Sequence, residues 1–160
     1  MPTDIPHAYT DACVLLSFIN GNPERLPAIE AVLSEARQGK VRLMTSTLTI
    51  VEVAFAAAEQ LGRALDPDVE RKLDSLWSPG APISLVEFSS VIASRARGII
   101  REGLAHGWSL KSSDAIHLAS AVHWGAAHFH TYDSALTKYG QSTGLIVSEP
   151  EPPQLQLPGA

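Results

Sequence analysis

Five short apolar segments, set apart by longer stretches of helical spacing, limit what this chain can fold into more than any other feature. Strands are expected at His7–Thr10, Val41–Thr45, Ile83–Val86, Ala127–Thr131 and Leu145–Val147. Between them, Cys13–Ile19 is an apolar stretch stopped by Asn20-Gly21-Asn22-Pro23, and Leu26–Arg37 has helical spacing followed by Gly39. A long helix is expected from a Ser46 cap to about Gln60, and another from Pro67 to Trp77, closed by Pro79-Gly80. Further helices are expected at Ser89–His106, from a Ser112 or Ser113 cap to about Trp124, and at Ser134–Tyr139. Strands that alternate with helices imply an α/β fold with a parallel sheet covered on both faces.

The 160 residues are enough for one domain with its own core, and 45% hydrophobic against 18% charged residues is a globular balance. The expected division is a folded unit over 1–147 and a tail over 148–160, where four prolines break any periodicity. With 12 Lys+Arg against 17 Asp+Glu, the net charge of −5 argues against a general nucleic-acid coat protein. An enzyme that meets nucleic acid through a local basic rim and bound cations remains compatible with it. Cys13 is the sole cysteine, so no intrachain disulfide can form and a reducing compartment is expected. The first residues, MPTDIPHAYT, lack a basic start followed by an apolar core, and no apolar run approaches ~18 residues. A cytosolic protein without a membrane span is the expectation.

Four acids stand out by position. Asp11 interrupts an apolar stretch where the first strand ends, and ligands of open parallel sheets bind beyond the carboxyl ends of strands. An Asp there also suits a turn or a helix cap. Glu52 lies among Ile50, Val51, Val53 and Ala54, so its helix is expected to be largely buried. A buried carboxylate needs a cation, a basic partner or a proton. Asp114 falls in the first turn of a helix, where the macrodipole favours an acid, and Asp133 follows the fourth strand, where it can also cap a short helix.

Geometry brings them together. From Asp114 the helix rises ~16 Å over about 11 residues, and the next strand returns roughly 16 Å at ~3.3 Å per residue. Asp114 and Asp133 therefore return to one sheet edge, which Asp11 shares. The side chain of Glu52 leans toward the start of its helix, which is the same edge. Two like charges 4 Å apart repel by about 4 kcal/mol at an effective dielectric of 20. Divalent cations relieve that repulsion, and hard oxygen ligands select Mg2+ or Mn2+. Phosphodiester hydrolysis is the chemistry such a site serves.

Four segments then carry a family resemblance: Tyr9-Thr10-Asp11-Ala12-Cys13-Val14-Leu15-Leu16, Thr45-Ser46-Thr47-Leu48-Thr49-Ile50-Val51-Glu52-Val53, Ser113-Asp114-Ala115-Ile116-His117-Leu118-Ala119-Ser120-Ala121 and Thr131-Tyr132-Asp133-Ser134-Ala135-Leu136. In order and spacing, over about residues 8–147, the chain resembles PIN-domain ribonucleases and, more narrowly, VapC-type toxins of bacterial toxin–antitoxin pairs. The resemblance implies a three-layer α/β/α sandwich with a central parallel sheet and Mg2+- or Mn2+-dependent cleavage of RNA. It implies that Asp11, Glu52, Asp114 and Asp133 form the catalytic, metal-binding site. It also implies a homodimer and a small antitoxin that covers that site. Cys13 departs from the pattern, standing where Ser, Thr or Asn is common near the metal, and a thiol is a poorer partner for a hard cation. The proline-rich tail also lies outside the pattern.

Around the acids, Cys13, Ser46 and Thr131 are candidates to position acids or water, although Ser46 and Thr131 are also natural caps. His117, one turn after Asp114, is expected to be a packed, hydrogen-bonded histidine. His128 and His130 share a strand face, but without cysteines they do not make a common zinc pattern. Arg97, Arg101, Lys111 and Lys138 are candidates for RNA phosphate contacts or ordinary surface. Trp77, Trp108 and Trp124 are expected to pack rather than to stack on bases. Two other readings stay open: a catalytically silent interaction module with the same fold, and a phosphotransfer receiver. For the receiver, Asp4 and Asp11 are poorly placed as the required acid pair.

Overall fold

Successive residues of a strand face opposite sides of a sheet, so each strand here feeds two separate cores. In the computed structural model, which describes residues 4–151, the strands are β1 (His7–Thr10), β2 (Arg42–Ser46), β3 (Ile83–Val86), β4 (His128–His130) and β5 (Ile146–Ser148). All pair in parallel, in the order β3-β2-β1-β4-β5. Register sets Tyr9 beside Met44 on one side and Phe129 on the other. The helices are α1 (Ala12–Ile19), α2 (Leu26–Arg37), α3 (Leu48–Glu52), α4 (Ala57–Gly62), α5 (Pro67–Trp77), α6 (Ser90–Ala105), α7 (Ser112–His123) and α8 (Gly140–Thr143). A 3-10 helix spans Ser134–Tyr139.

Ala8, Leu43 and Ile83 pack with Val14 and Leu15 of α1, Ile29 and Leu33 of α2 and Leu76 of α5. Tyr9 and Met44, which follow Ala8 and Leu43, and Phe129, paired with Tyr9 on β4, pack with Leu118 and Ala121 of α7 and with Leu136 and Tyr139 of the 3-10 helix. Ile92 and Ala96 of α6 lie against Ala115 and Ala119 of α7 and thicken that second layer. The result is the three-layer α/β/α sandwich. From β1 the sheet grows first toward β3 and then, on the other side, toward β5. The reversal lies between β1 and β4, and the crevice beyond their carboxyl ends is where parallel sheets bind ligands.

Several expected boundaries move. The long helix from Ser46 to about Gln60 is two short helices, α3 and α4, with Val53–Ala56 between them. The chain turns so that Val53 and Ala56 enter the core, while Ile50, Val51 and Phe55 remain exposed. A segment apolar all round has no stripe to specify which side is buried, so periodicity misread this region. Ser46 ends β2, and its hydroxyl accepts from Leu48 N at 3.1 Å. Lys111, not Ser112 or Ser113, occupies the cap position of α7. The stretch after Asp11 folds as α1, and Ser148 closes β5 rather than opening the tail. Pro150 is buried, and tail residues 152–160 lie outside the described residues.

Candidate active site

Asp11 leaves β1 and caps α1, where its Oδ1 accepts from Val14 N at 3.4 Å and from the Cys13 thiol at 2.9 Å. The carboxyl is buried, and burial raises its pKa above the usual aspartate range against the opposing pull of bonds from Cys13 and Thr131. Burial also pushes the Cys13 thiol up to about 12, with the Asp11 charge adding to it. Cys13 therefore sits here as a thiol donor to Asp11, not as a thiolate. Its sulfur also accepts from Tyr132 N at 3.3 Å and lies 3.5 Å from Thr131 Oγ1. Thr131 Oγ1 in turn accepts from Asp133 N at 3.0 Å. One short chain of hydrogen bonds thus links the ends of β1 and β4 and the acids that follow them.

Asp133 caps the 3-10 helix by accepting from Ala135 N at 3.0 Å, and its side chain is exposed. Asp114 lies in the first turn of α7 and is partly buried. Its pKa is raised first by burial, then by the charges of Asp133 and Asp11, with His117 and Lys111 offsetting part of the effect. Asp114 thus feels the charges of both Asp11 and Asp133, which follow the neighbouring strands β1 and β4.

Glu52 differs from expectation. It ends α3 instead of lying inside a buried helix, and its side chain is 27% exposed. Its partner is His117, whose Nε2 is 2.5 Å from Glu52 Oε1. The helix is less buried than expected, because the flanking Ile50 and Val51 face outward, and of a cation, a basic partner or a proton the described residues supply a basic partner. His117 is the packed, hydrogen-bonded histidine expected, with Nδ1 2.6 Å from the Tyr9 hydroxyl. Tyr9 and Arg25 escaped the sequence reading. The signal for Tyr9 was a phenol in a central strand, since a buried hydroxyl needs a partner. Arg25 lies with its guanidinium 3.9 Å above the Tyr132 ring, next to the Asp133 loop; nothing local in the sequence pairs the two.

The basic candidates are spread more widely. Arg97 and Arg101 line a cleft of about 320 Å³ between α6 and α7, with Phe88, Ile100, Ser112 and Ile116. Lys111 is exposed and its charge acts on Asp114. Lys138 holds its ammonium 5.4 Å from the Trp108 ring. Trp108 packs edge-on against Tyr139, Trp77 packs against the core around α1 and α2, and Trp124 is exposed. His128 and His130 stack with ring centroids 6.3 Å apart, and burial lowers the pKa of His130 to about 4.

Among the described residues, no three His, Cys, Asp or Glu side chains already stand in a group that would hold a metal ion. The donor chemistry still suits a hard divalent cation: carboxylate oxygens, with the one cysteine held as a thiol and not a thiolate.

The protein is a parallel α/β/α sandwich in which Asp11 and Asp133 follow the two strands that flank the strand-order reversal. The PIN domain matches residues 8–141, and the chain belongs to that family. Among solved structures, VapBC2 from Rickettsia felis, bound to a DNA fragment from its promoter, superposes with a TM-score of 0.67 at 14% identity. The match covers 91% of this chain and 99% of that one. FitAcB from Neisseria gonorrhoeae gives 0.62 at 18% identity, covering 89% and 97%. VapC20 from Mycobacterium tuberculosis, a sarcin-ricin loop cleaving toxin, gives 0.59 at 13% identity, covering 83% and 95%. At these identities the likeness is one of fold. No curated protein sequence matches the chain significantly.

Proposed function

We propose that this protein is a divalent-metal-dependent endoribonuclease, the toxin of a toxin–antitoxin pair. The observation that carries this reading is the placement of Asp11 after β1, Asp133 after β4 and Asp114 in the first turn of α7, with the charges of Asp11 and Asp133 both acting on Asp114. Membership in the PIN-domain family supports it, as do structural neighbours that are VapBC, FitAB and VapC proteins. Mg2+ or Mn2+ held by Asp11, Asp114 and Asp133, with Glu52 contributing, would polarise a phosphate oxygen and activate water. The chain's own contribution is orientation. Val14 N–H and the Cys13 thiol fix Asp11, while Thr131 and Ala135 N–H fix the loop of Asp133. Arg97, Arg101, Lys111 and Lys138 are the proposed contacts to RNA phosphates.

Exposed Ile50, Val51, Phe55, Leu61 and Leu65 on and beside α3 and α4 support protein partners, a small antitoxin and a second copy of the chain. Among the described residues no helix is long and apolar enough to cross a membrane, and the proposed location is the cytosol.

The test is cleavage of RNA by purified protein with Mg2+ or Mn2+. Asp11→Asn and Asp114→Asn should each abolish it while circular dichroism stays native, and undiminished cleavage by either variant excludes the assigned site. In cells, expression should arrest growth and Asp11→Asn should restore it. A second reading, a catalytically silent module, is favoured by the Cys13 thiol that donates to Asp11, since a thiol is a poorer neighbour than a hydroxyl for a hard cation. Calorimetry showing no Mn2+ binding near neutral pH would select it.

A further inference from the structure

A line of polar groups, buried at Tyr9 and His117, runs to Glu52, and neither Tyr9 nor His117 has a part in the steps above. Ser46 N–H donates to the Tyr9 hydroxyl at 2.9 Å, and that hydroxyl lies 2.6 Å from His117 Nδ1. On the far side of the ring, His117 Nε2 meets Glu52 Oε1. Tyr9 is 0% and His117 1% exposed, so water cannot replace either partner. An ionised carboxylate only accepts hydrogen bonds, so Nε2 must carry the proton of its bond to Glu52. Each member stands on an element that presents an acid: Tyr9 is two residues before Asp11 on β1, His117 one turn after Asp114 on α7, and Glu52 ends α3. The line therefore joins three segments that are far apart in sequence.

We propose that His117 is a positioning residue: anchored through Nδ1 by Tyr9, it uses Nε2–H to hold one oxygen of Glu52 and so orients that carboxylate toward the acid site. α3 is only five residues long and its outward face is exposed, so the element gives Glu52 little support of its own. The histidine supplies the missing constraint, as groups behind a ligating carboxylate generally do, and losing such a group typically costs about 10–100-fold in metal affinity or activity.

This inference rests on the proposed acid site, so its test includes readouts that need neither RNA nor metal. In metal-free protein labelled with 15N-histidine, His117 should show a slowly exchanging proton on Nε2, and Glu52→Gln should shift that signal. A bare Nε2 with the proton on Nδ1 overturns the proposal whether or not the protein cleaves RNA. In calorimetry, His117→Leu should weaken Mn2+ binding about tenfold or more, and His117→Gln, which keeps a donor near the Nε2 position, should recover most of the loss. Cleavage should follow the same order in kcat with little change in KM. If His117→Leu does not fold, Tyr9→Phe serves in its place: it keeps the ring, frees Nδ1, and should broaden or shift the Nε2–H signal. An unchanged signal in Tyr9→Phe, or equal Mn2+ affinity for the Leu and Gln variants and the parent, also overturns it.

Discussion

Asp11 is 5% exposed and accepts hydrogen bonds from Val14 N–H and the Cys13 thiol, yet burial still raises its pKa. Because the folded chain holds this proton more tightly than the unfolded one, the folded state binds more protons from the ordinary aspartate value of ~3.9 up to the raised value. The metal-free protein consequently loses stability as pH climbs through that window and regains it as pH falls. Asp11→Asn keeps an acceptor for Val14 and removes the charge. In chelator at neutral pH its Tm should be higher than the parent's, and the gap should close toward pH ~4. Thermal melts across pH check this, and a less stable Asn variant at neutral pH contradicts it. Cys13 gives a second outcome at this scale. A thiol pushed up to about 12 should react with iodoacetamide at pH 7 at least about 100-fold more slowly than a free thiol. Urea should restore the ordinary rate.

Among the elements, α2 and α5 run as their sequences announce, with proline in the first turn and, for α2, Gly39 following the last turn with φ 72°. The segment after β2 does not, because its apolar residues serve two environments. Val53 is buried, whereas Val51 is 73% exposed. Val51→Ser should therefore change stability by no more than about 0.5 kcal/mol, while Leu118→Ala in α7, fully buried against the sheet, should cost about 2–5 kcal/mol. Urea denaturation of the two variants measures both, and a large loss for Val51→Ser would mean that α3 is covered within the folded chain. The exposed row is also why the helix that carries Glu52 is less buried than its sequence suggests: a hydrophobic neighbourhood in sequence became an outer surface in space.

For the whole molecule, the proposed site is a meeting of element ends. Asp11 follows β1, Asp133 follows β4, Asp114 opens α7 and Glu52 closes α3, so an ion shared among them would bind only the folded state. Mn2+ at about 100 times its Kd should stabilise the fold by ~2.7 kcal/mol, a Tm rise of about 5–10 °C that chelator reverses and Asp11→Asn abolishes. Melts with and without Mn2+ decide this, and an unchanged Tm at millimolar Mn2+ would count against the centre.

Alternation of strand and helix, read along the chain, was enough to establish a parallel sheet covered on both faces. The helix and strand lengths also returned Asp114 and Asp133 to the edge that holds Asp11. Those features follow from local periods of two and 3.6 residues and from fixed rises per residue, which a sequence carries in full. Tyr9 could not be paired with His117, nor His117 with Glu52, in the same way, because each contact joins segments whose approach depends on sheet order and helix tilt. The outward turn of α3 depended likewise on which apolar residues the rest of the fold had room to bury.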